Sequence, residues 1–272
     1  MLDHLLDALF PRTCIGCAGG PWPLCDACGS DVVELVPPWC ARCGSPASGA
    51  GEACADCPPE PIALARAPFL FDGPIRRAVH RLKFSGWRAV ADALGEAMAL
   101  AWRSEPEGSG VGVVTWVPLS RERAARRGFD QARALALVVG ARLDLPTAGL
   151  LRRTGDPGPQ ARRGREERRA AMAGRFSSRT RASGRVLLVD DVLTTGATAA
   201  SCAQALLDGG AERVVVLTAA RSLSGALTRS GPSRAYTRGG LAPGSVVAPG
   251  NRSPAVDASR GRNDPRKATL GR

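Results

Sequence analysis

Two adjacent carboxylates and a run of threonines and glycine form the part of the sequence best suited to chemistry. Asp190 and Asp191 follow the apolar residues Val186–Val189, and the run Thr194–Thr198 (TTGAT) comes two residues later. Backbone N–H groups and hydroxyls in such a run can bind a phosphate at a helix N-terminus, where the helix dipole favours an anion. Neighbouring carboxylates can hold two vicinal sugar hydroxyls or Mg²⁺. A ribose 5-phosphate fits both halves of this segment.

A strand and a helix must position these groups. The continuous β-branched and leucine run Val186–Val189 predicts a strand buried on both faces, as in a parallel sheet. Open α/β sheets bind ligands beyond the carboxyl ends of their strands, which is where Asp190 and Asp191 fall. The alternative is an acidic strand end followed by a Thr-capped helix. That alternative leaves two buried carboxylates without a ligand, which is energetically costly.

The order of apolar strand, two acids, two further residues and Thr-Thr-Gly-x-Thr resembles the signature with which type I phosphoribosyltransferases bind 5-phosphoribosyl 1-pyrophosphate (PRPP). The resemblance implies that Asp190 and Asp191 are the catalytic pair and hold the ribose 2′- and 3′-hydroxyls. It also implies a 5′-phosphate cradle, whose residues are Thr194, Thr195, Gly196, Ala197 and Thr198.

Eight of the nine cysteines lie in residues 14–57 as four CxxC pairs: Cys14/Cys17, Cys25/Cys28, Cys40/Cys43 and Cys54/Cys57. Eight thiolates are enough for two structural Cys₄ zinc sites, and this spacing is typical of zinc ribbons. A disulfide framework is disfavoured because no secretory signal precedes the cysteines, and a redox CxxC would not need four copies. Sequential and interleaved pairings both remain open. The ninth cysteine, Cys202, has the apolar neighbours of a core residue.

Proline, glycine and charge divide the chain into three predicted domains. Pro58, Pro59 and Pro61 form a stiff linker, so residues 1–60 are assigned to an N-terminal helix and double zinc ribbon. Residues 61–221 form the phosphoribosyltransferase domain. Residues 222–272 lack apolar periodicity and are predicted to be a disordered basic tail, unless they come from an altered reading frame.

Hydrophobic periodicity outlines the larger domain. Strands are predicted at Ala67–Phe71, Val111–Val117 and Val214–Thr218, and helices at Ile75–Lys83, Ala89–Trp102 and Gln131–Arg142, the last capped by Asp130. A strand, phosphate loop, helix and strand in succession form a βαβ unit, so the sheet should be parallel. Leu150–Arg169 is polar and arginine-rich, which suits either a catalytic lid or an ordinary exposed loop.

Four arginines follow the predicted strand Val111–Val117: Arg121, Arg123, Arg126 and Arg127. Such a run is either a solvated helix face or an anion site. Because the run lies at the same sheet edge as Asp190, we favour an anion site, in which Arg126 and Arg127 contact pyrophosphate or substrate.

The formal net charge of +12 suggests nucleic acid as a partner, but the charge is unevenly placed. Residues 222–272 hold nine of the Lys and Arg residues and only two of the acidic ones, so more than half of the excess lies in the tail. The twelve aromatic residues are scattered, which does not favour a base-stacking surface. No stretch suggests membrane insertion, and the acidic start MLDHLLDALF is unlike a secretory signal, so a cytoplasmic protein is expected.

The chain as a whole resembles the ComF family of competence-associated proteins. Four features carry the resemblance across residues 10–221: the CxxC-rich start, Phe71–Gly86 (FDGPIRRAVHRLKFSG), Val117–Ala132 (VPLSRERAARRGFDQA) and the VLLVDDVLTTGAT segment. A further family feature matches Arg153, Thr154 and Gln160. The resemblance implies that His80, Lys83, Arg127 and Gln160 lie near the site. Two departures are Asp130, where the family usually has Asn, and the basic tail.

These observations predict an α/β fold, namely a parallel-sheet, Rossmann-like type I phosphoribosyltransferase domain with a small Cys₄ zinc-ribbon module and a disordered tail. The expected function is transfer of ribose 5-phosphate from PRPP, with Mg²⁺, to an acceptor that the sequence does not specify. The family resemblance links it to DNA uptake. The alternative is a non-catalytic PRPP sensor, or a partner of single-stranded DNA or competence proteins. The zinc module is expected to cover the site, and the oligomeric state is left open.

Overall fold

The computed structural model of the 272-residue chain describes residues 12–46, 54–85, 88–108, 110–154, 175–223 and 236–238. The α-helices are α1 (Asp26–Ser30), α2 (Gly73–Ser85), α3 (Arg88–Arg103), α4 (Arg121–Arg127), α5 (Gln131–Leu143) and α6 (Ala197–Asp208). The strands are β1 (Val33–Leu35), β2 (Leu64–Arg66), β3 (Phe69–Leu70), β4 (Val111–Trp116), β5 (Leu151–Arg153), β6 (Phe176–Ser178), β7 (Arg185–Leu193), β8 (Arg213–Arg221) and β9 (Tyr236–Arg238). None of the described helices is long and apolar enough to cross a membrane.

One sheet of seven strands organises the molecule, in the order β4-β7-β8-β3-β1-β9, with β2 also paired to β8. The pairs β4–β7, β7–β8, β2–β8 and β3–β8 are parallel. Strand β1 is antiparallel to β3 and to β9. Strands β5 and β6 form a separate antiparallel pair.

Both faces of β7 and β8 are buried, because side chains alternate between the faces of a strand. Leu187, Val189 and Leu217 pack with α2, α3 and α5, whereas Val186, Leu188 and Val216 pack with α6, β5 and β6. This continuous burial explains why the strands have uninterrupted apolar sequences. The predicted fold class, a mostly parallel α/β sheet with a cysteine-rich amino-terminal module, is confirmed.

Element boundaries differ from the sequence predictions where pairing extends or breaks a strand. Strand β7 runs on to Leu193 and β8 to Arg221, because the two strands keep pairing along their whole length. The predicted strand Ala67–Phe71 is shortened to β3 (Phe69–Leu70), and a strand that was not predicted, β2 (Leu64–Arg66), precedes it. Pro68 lies between them and has no N–H to donate to a neighbouring strand.

Two other predicted segments lie mostly outside the described residues. Of the predicted polar loop Leu150–Arg169, the structure describes residues 150–154, and Leu151–Arg153 forms β5 rather than loop. Of the predicted disordered tail, it describes residues 222–223 and 236–238. The last three form β9, because β1 has a free edge and Tyr236 and Thr237 favour strands.

The chain connections create a crevice between β4 and β7. After β4, the chain passes through α4 and α5 and returns on the outer side of β4, where Thr147 bridges to Val114. After β7, the chain leaves in the opposite direction through α6 to β8. Strand connections that diverge in this way leave a ligand-binding crevice at the carboxyl ends of the two strands.

Candidate functional site

The carboxylate pair lies at this crevice. The β4–β7 ladder ends at Trp116 and Val189, so Asp190 and Asp191 extend beyond the end of β4 while β8 still supports them. The alternation of side chains directs Asp191 to the face that α2 covers and Asp190 to the face that α6 covers. The buried thiol of Cys202 in α6 has a raised pKa, chiefly from burial and then from the charge of Asp190.

Asp191 forms an ion pair with Lys83 of α2, whose Nζ lies 3.1 Å from Asp191 Oδ2. The Asp191 side chain is 8% exposed and that of Lys83 is 23% exposed. The approach is not aligned as a hydrogen bond, and Asp191 Oδ2 has no hydrogen-bond donor among the described residues. This buried oxygen therefore retains the capacity to accept a hydrogen bond from a ligand.

Asp190 is held in an environment that disfavours its charge. Burial raises its pKa well above the ordinary value, and the adjacent charge of Asp191 raises it further. The Asp191 N–H, which donates to Asp190 Oδ1 at 2.8 Å, and the Lys83 ammonium act in the opposite direction. A ligand that interacts favourably with the ionised carboxylate would offset this effect, so the oxygens of the pair suit a divalent cation or sugar hydroxyls.

The predicted phosphate loop connects β7 to α6. Thr194 and Thr195 are exposed, Gly196 is buried, and Ala197 and Thr198 begin the helix. The Ala197 N–H donates to Thr195 Oγ1 at 3.4 Å. The first turn of an α-helix presents N–H groups that have no acceptor within the helix, so an anion is favoured there.

Gly196 is required by both backbone conformation and space. Its φ of 74° lies in the left-handed region, which favours glycine. A Cβ at this position would lie 2.5 Å from the Cβ of Pro58, which follows the last cysteine of the amino-terminal module. The segment that follows the module therefore lies directly against the phosphate loop.

The arginine run forms α4, which begins after Ser120 and ends before Gly128. Ser120 accepts a hydrogen bond from the Arg123 N–H, and Gly128 adopts the left-handed conformation (φ 61°). Arg126 is exposed, whereas Arg127 is partly buried and donates to Gln131 Oε1 at 3.2 Å. Of the two predicted arginines, Arg127 is thus the one whose side chain the fold holds in place.

Arg127 faces the carboxylate pair and an aromatic ring. Its guanidinium lies 5.1 Å from the centroid of Phe84, next to Lys83 in the chain. Burial and the neighbouring charge of Arg123 lower the Arg127 pKa, while Asp191 acts to raise it. An arginine remains charged under these conditions, so Arg127 supplies a cation on the α4 side of the crevice.

Asp130 was predicted as a helix cap and as a departure from the family pattern that changes the local charge, and it belongs to the electrostatic environment of Asp190. Its Oδ1 accepts from the Arg133 N–H at 3.0 Å, which confirms the cap. Its charge also raises the pKa of Asp190. The position of Asp130 in the chain was a usable signal. It comes after β4, and the carboxyl end of β4 borders the crevice.

Two predicted neighbours have different outcomes. His80 is exposed and stacks between Phe71 and Phe84, with centroid distances of 6.4 Å and 6.0 Å. Its ring contacts in the structure are with these two side chains rather than with the carboxylates. Gln160 lies outside the described residues.

A basic cavity of about 500 Å³ lies beyond the end of β4. It is lined by Leu119, Arg152, Arg153 and Arg179. Arg152 and Arg153 belong to β5, and Arg179 follows β6, so the small antiparallel pair carries cations to the sheet edge at which the carboxylates lie. The sequence analysis assigned Arg152 and Arg153 to a loop that suits a catalytic lid, and it gave Arg179 no role.

The cysteines form two clusters by sequential pairing: Cys14, Cys17, Cys25 and Cys28 in one, and Cys40, Cys43, Cys54 and Cys57 in the other. Neighbouring Sγ atoms within them lie 3.4 to 3.8 Å apart. A tetrahedron with Zn–S bonds of about 2.3 Å has edges of about 3.8 Å, so both clusters fit zinc. The open question of sequential or interleaved pairing is thereby decided.

The thiols of the first zinc cluster differ in acidity. The Gly19 N–H approaches Cys17 Sγ at 3.5 Å, and this contact, with the neighbouring thiols, lowers the pKa of Cys17 to about 6. Burial raises the pKa of Cys28 to about 12. Zinc binds thiolate rather than thiol, so metal binding must displace the proton of Cys28. By contrast, Cys202 is fully buried in the core, as predicted.

Comparison with known proteins identifies the family. The model of the double zinc ribbon domain matches residues 5–58. The DNA utilization protein YhgH of Escherichia coli O157:H7 is 30% identical over 211 residues, which are 75% of this chain and 92% of that protein. Competence protein ComFC of Bacillus subtilis is 28% identical over 196 residues, 69% of this chain and 79% of that protein. This chain belongs to the ComF family.

The family assignment agrees with the zinc clusters and with the predicted resemblance. Among solved structures, glutamine PRPP amidotransferase from B. subtilis, complexed with ADP and GMP, aligns with 46% of this chain at 22% identity. The alignment spans 25% of that protein, and its TM-score of 0.32 is too low to support an inference about this ComF chain.

Proposed function

We propose that the crevice binds PRPP with Mg²⁺ and that the protein is a phosphoribosyltransferase acting on an unidentified acceptor. The observation that carries the proposal is the succession of Asp190, Asp191 and the loop Thr194–Thr198 at the carboxyl end of β7, where the connections after β4 and β7 diverge. This arrangement offers hydroxyl acceptors and an anion site within one short segment.

In the proposed complex, Asp190 and Asp191 accept hydrogen bonds from the ribose hydroxyls, and the residues Thr194 to Thr198 receive the 5′-phosphate. Arg127 and the basic cavity beside Leu119 face the pyrophosphate. Mg²⁺ would supply further charge neutralisation on the pyrophosphate oxygens. The reaction breaks the bond from C1 of the ribose to the pyrophosphate oxygen, which leaves with the electron pair, and forms a bond from C1 to the acceptor.

The side chains lower the barrier chiefly by stabilising charge. Negative charge grows on the departing pyrophosphate, where arginines lie, and positive charge grows on the ribose ring, near the carboxylate pair. Fixed charges placed where charge develops are usually the largest contribution to catalysis.

We further propose that this activity serves DNA uptake from within the cytoplasm. The support comes from the names of the relatives, which are a DNA utilization protein and a competence protein. A second candidate, suggested by those names and by the net charge of +12, is a non-catalytic partner of single-stranded DNA or competence proteins. DNA binding of that kind should weaken steeply with salt, and a chain without residues 239–272 would show whether the tail accounts for it.

The test is calorimetric titration of the zinc-loaded protein with PRPP, with and without Mg²⁺. Asp190→Asn with Asp191→Asn should weaken binding about 100-fold or more, because two hydrogen bonds to charged acceptors are lost. Asp144→Asn, an exposed change at the end of α5, is the matched control. Unchanged affinity in the double variant would refute the site assignment.

A second step separates turnover from binding. Pyrophosphate release is measured with candidate nucleobases as acceptors, using the wild type and the double variant. Mg²⁺-dependent binding without release for any acceptor would favour the PRPP sensor. Absence of binding at millimolar PRPP would refute the proposed function.

A further inference from the structure

Arg221, the last residue of β8, is a buried cation whose charge the proposed reaction does not use. Its side chain is almost completely buried, with 1% of the residue exposed, at the end of the otherwise uncharged stretch Val214–Ala220. Among the described residues, none of the ion pairs involves Arg221. A guanidinium taken out of water requires compensating partners, so its contacts indicate its role.

The contacts of Arg221 lie on the second zinc cluster. Nη1 donates to the carbonyl oxygen of Cys43 at 2.7 Å, and Nη2 donates to the carbonyl oxygen of Asp56. Cys43 belongs to one CxxC knuckle, and Asp56 lies between the two cysteines of the other. One side chain thus joins both knuckles. Four thiolates around Zn²⁺ carry a net charge of −2, for which the guanidinium is a buried counter-charge.

The same cluster is joined to the phosphate loop at both ends. Pro58, directly after the ligand Cys57, packs on Gly196 so closely that a Cβ there would lie 2.5 Å from the proline Cβ. At the start of the loop, Arg221 is paired with Leu193, and the Ser222 N–H donates to the Leu193 carbonyl at 2.9 Å. The loop is therefore held at Leu193 by the end of β8, which carries Arg221, and at Gly196 by Pro58. Pro58 follows the zinc knuckle that Arg221 contacts through the Asp56 carbonyl.

We propose that Arg221 is a positioning residue that couples the second zinc cluster to the phosphate loop. Zinc at Cys40, Cys43, Cys54 and Cys57 fixes the knuckle, Arg221 and Pro58, and thereby fixes the loop in the conformation that binds an anion. Such coupling is reciprocal, so an anion in the loop slows loss of this zinc. The inference rests on the proposed function only for the identity of the anion as PRPP.

The first zinc cluster supplies an internal control. Arg77 of α2 donates from Nε to the Gly16 carbonyl at 2.8 Å, and its Nη2 lies 3.8 Å from Cys28 Sγ. Arg81 donates to the Ile15 carbonyl at 2.6 Å. This cluster is held against α2 rather than against the phosphate loop, so loosening it should leave anion binding unchanged.

The first measurement is zinc release from the full-length protein to a chromogenic chelator. Arg221→Gln should accelerate release of one zinc equivalent about tenfold or more, and Arg77→Gln should accelerate release of the other. The double variant should release both rapidly. Arg221→Lys keeps the charge and should show an intermediate rate. Release of both equivalents from Arg221→Gln at the wild-type rate would overturn the proposal.

The second measurement is binding of inorganic phosphate and of Mg²⁺–PRPP to the zinc-loaded variants. Arg221→Gln should weaken binding about tenfold, whereas Arg77→Gln should bind as the wild type does. Either anion should slow release of the Arg221-dependent zinc from the wild type. If Arg221→Gln releases zinc faster but binds both anions normally, the coupling does not exist.

Pro58→Gly keeps the test independent of the fold of the Arg221 variants. It removes the Cβ that lies against Gly196 without changing a cysteine or a charge, and it should weaken phosphate binding while the two zinc equivalents stay bound. Pro58→Ala retains this Cβ and is the matched control. Normal phosphate binding in Pro58→Gly overturns the proposal. A wild type that binds phosphate but not PRPP refutes the proposed function alone, and a wild type that binds neither anion refutes both.

Discussion

At the scale of single residues, Asp190 shows the energetic cost of a binding site. Burial and the charge of Asp191 raise its pKa, so ionisation of this carboxyl group is less favourable in the folded protein than in the unfolded chain. Between the unfolded and folded pKa values the folded state binds more protons, and its stability falls as the pH rises. A ligand or cation that binds the ionised carboxylate would restore the stability that the folded state loses as the pH rises.

We therefore expect Asp190→Asn to stabilise the fold while removing PRPP binding. Asn cannot ionise, so the advantage of the variant in melting temperature should increase as the pH rises from about 4, the ordinary pKa of an aspartate, to pH 8. At pH 8 it should reach at least about 2 °C, which corresponds to about 1 kcal/mol for a protein of this size. Thermal unfolding across this pH range is the measurement, with Asp144→Asn as control. A lower melting temperature for Asp190→Asn at pH 8 would contradict the explanation.

Sequence alone indicated candidate residues that are adjacent in the chain, whereas it did not indicate specific contacts between distant residues. Asp190, Asp191 and the loop Thr194–Thr198 form one continuous segment, so their types and spacing suggested the candidate site. The family resemblance placed Lys83 near this site, but Lys83 lies more than a hundred positions before Asp191 and no local pattern predicts their ion pair. Arg221 had one signal, a charge that ends an apolar strand, but its partners in the zinc knuckles could not be inferred.

At the scale of elements, the start of α5 joins helix capping to the electrostatics of the crevice. Asp130 caps α5 through the Arg133 N–H and also raises the pKa of Asp190. Burial raises the pKa of Asp130 itself. The same side chain thus stabilises a helix and adds negative charge to the site, and these two effects can be separated by substitution.

Asp130→Asn should keep the helix and lower the pKa of Asp190. Asn caps helices about as well as Asp, so we expect stability to change by less than about 1 kcal/mol. Carbon-detected NMR titration of the Asp190 carboxyl group should show its midpoint at lower pH in the variant. Asp130→Ala removes the same charge and also the cap, at a cost of about 1 kcal/mol. An unmoved Asp190 midpoint in both variants would show that Asp130 does not affect the site.

Element types were more predictable than element ends for a physical reason. Apolar periodicity reports which faces are buried, and it correctly indicated the helices α2, α3 and α5 and the parallel strands β4, β7 and β8. Where a strand stops depends on its neighbour. Pairing with β8 carries β7 on to Leu193, and Pro68 divides β2 from β3.

At the scale of the whole molecule, the zinc module and the α/β domain share one core. Ile15 and Val32 of the module belong to the same buried cluster as Ile75 of α2. Strand β1 extends the main sheet by pairing with β3. Arg66 of β2 contacts Glu105 and the Ala41 carbonyl, so a cation of the domain is also satisfied by the module.

A fragment that starts at residue 61 should consequently fail to fold, although composition places a domain boundary there. Removing the module exposes the apolar surface around Ile75. It also leaves the Arg221 guanidinium without the Cys43 and Asp56 carbonyls, and the Arg66 guanidinium without the Ala41 carbonyl. Unsatisfied buried donors are costly, and the total stability of a domain is small. We expect no cooperative thermal transition for residues 61–272.

The matched control is a chain that ends at residue 238. Every core residue of the described part precedes Arg221, and the control retains β9, so its melting temperature should agree with that of the full chain within about 2 °C. Thermal unfolding followed by circular dichroism compares the three proteins. If residues 61–272 unfold cooperatively at the full-chain temperature, the α/β domain is autonomous. The contacts with the module would then serve to position the phosphate loop rather than to stabilise the fold.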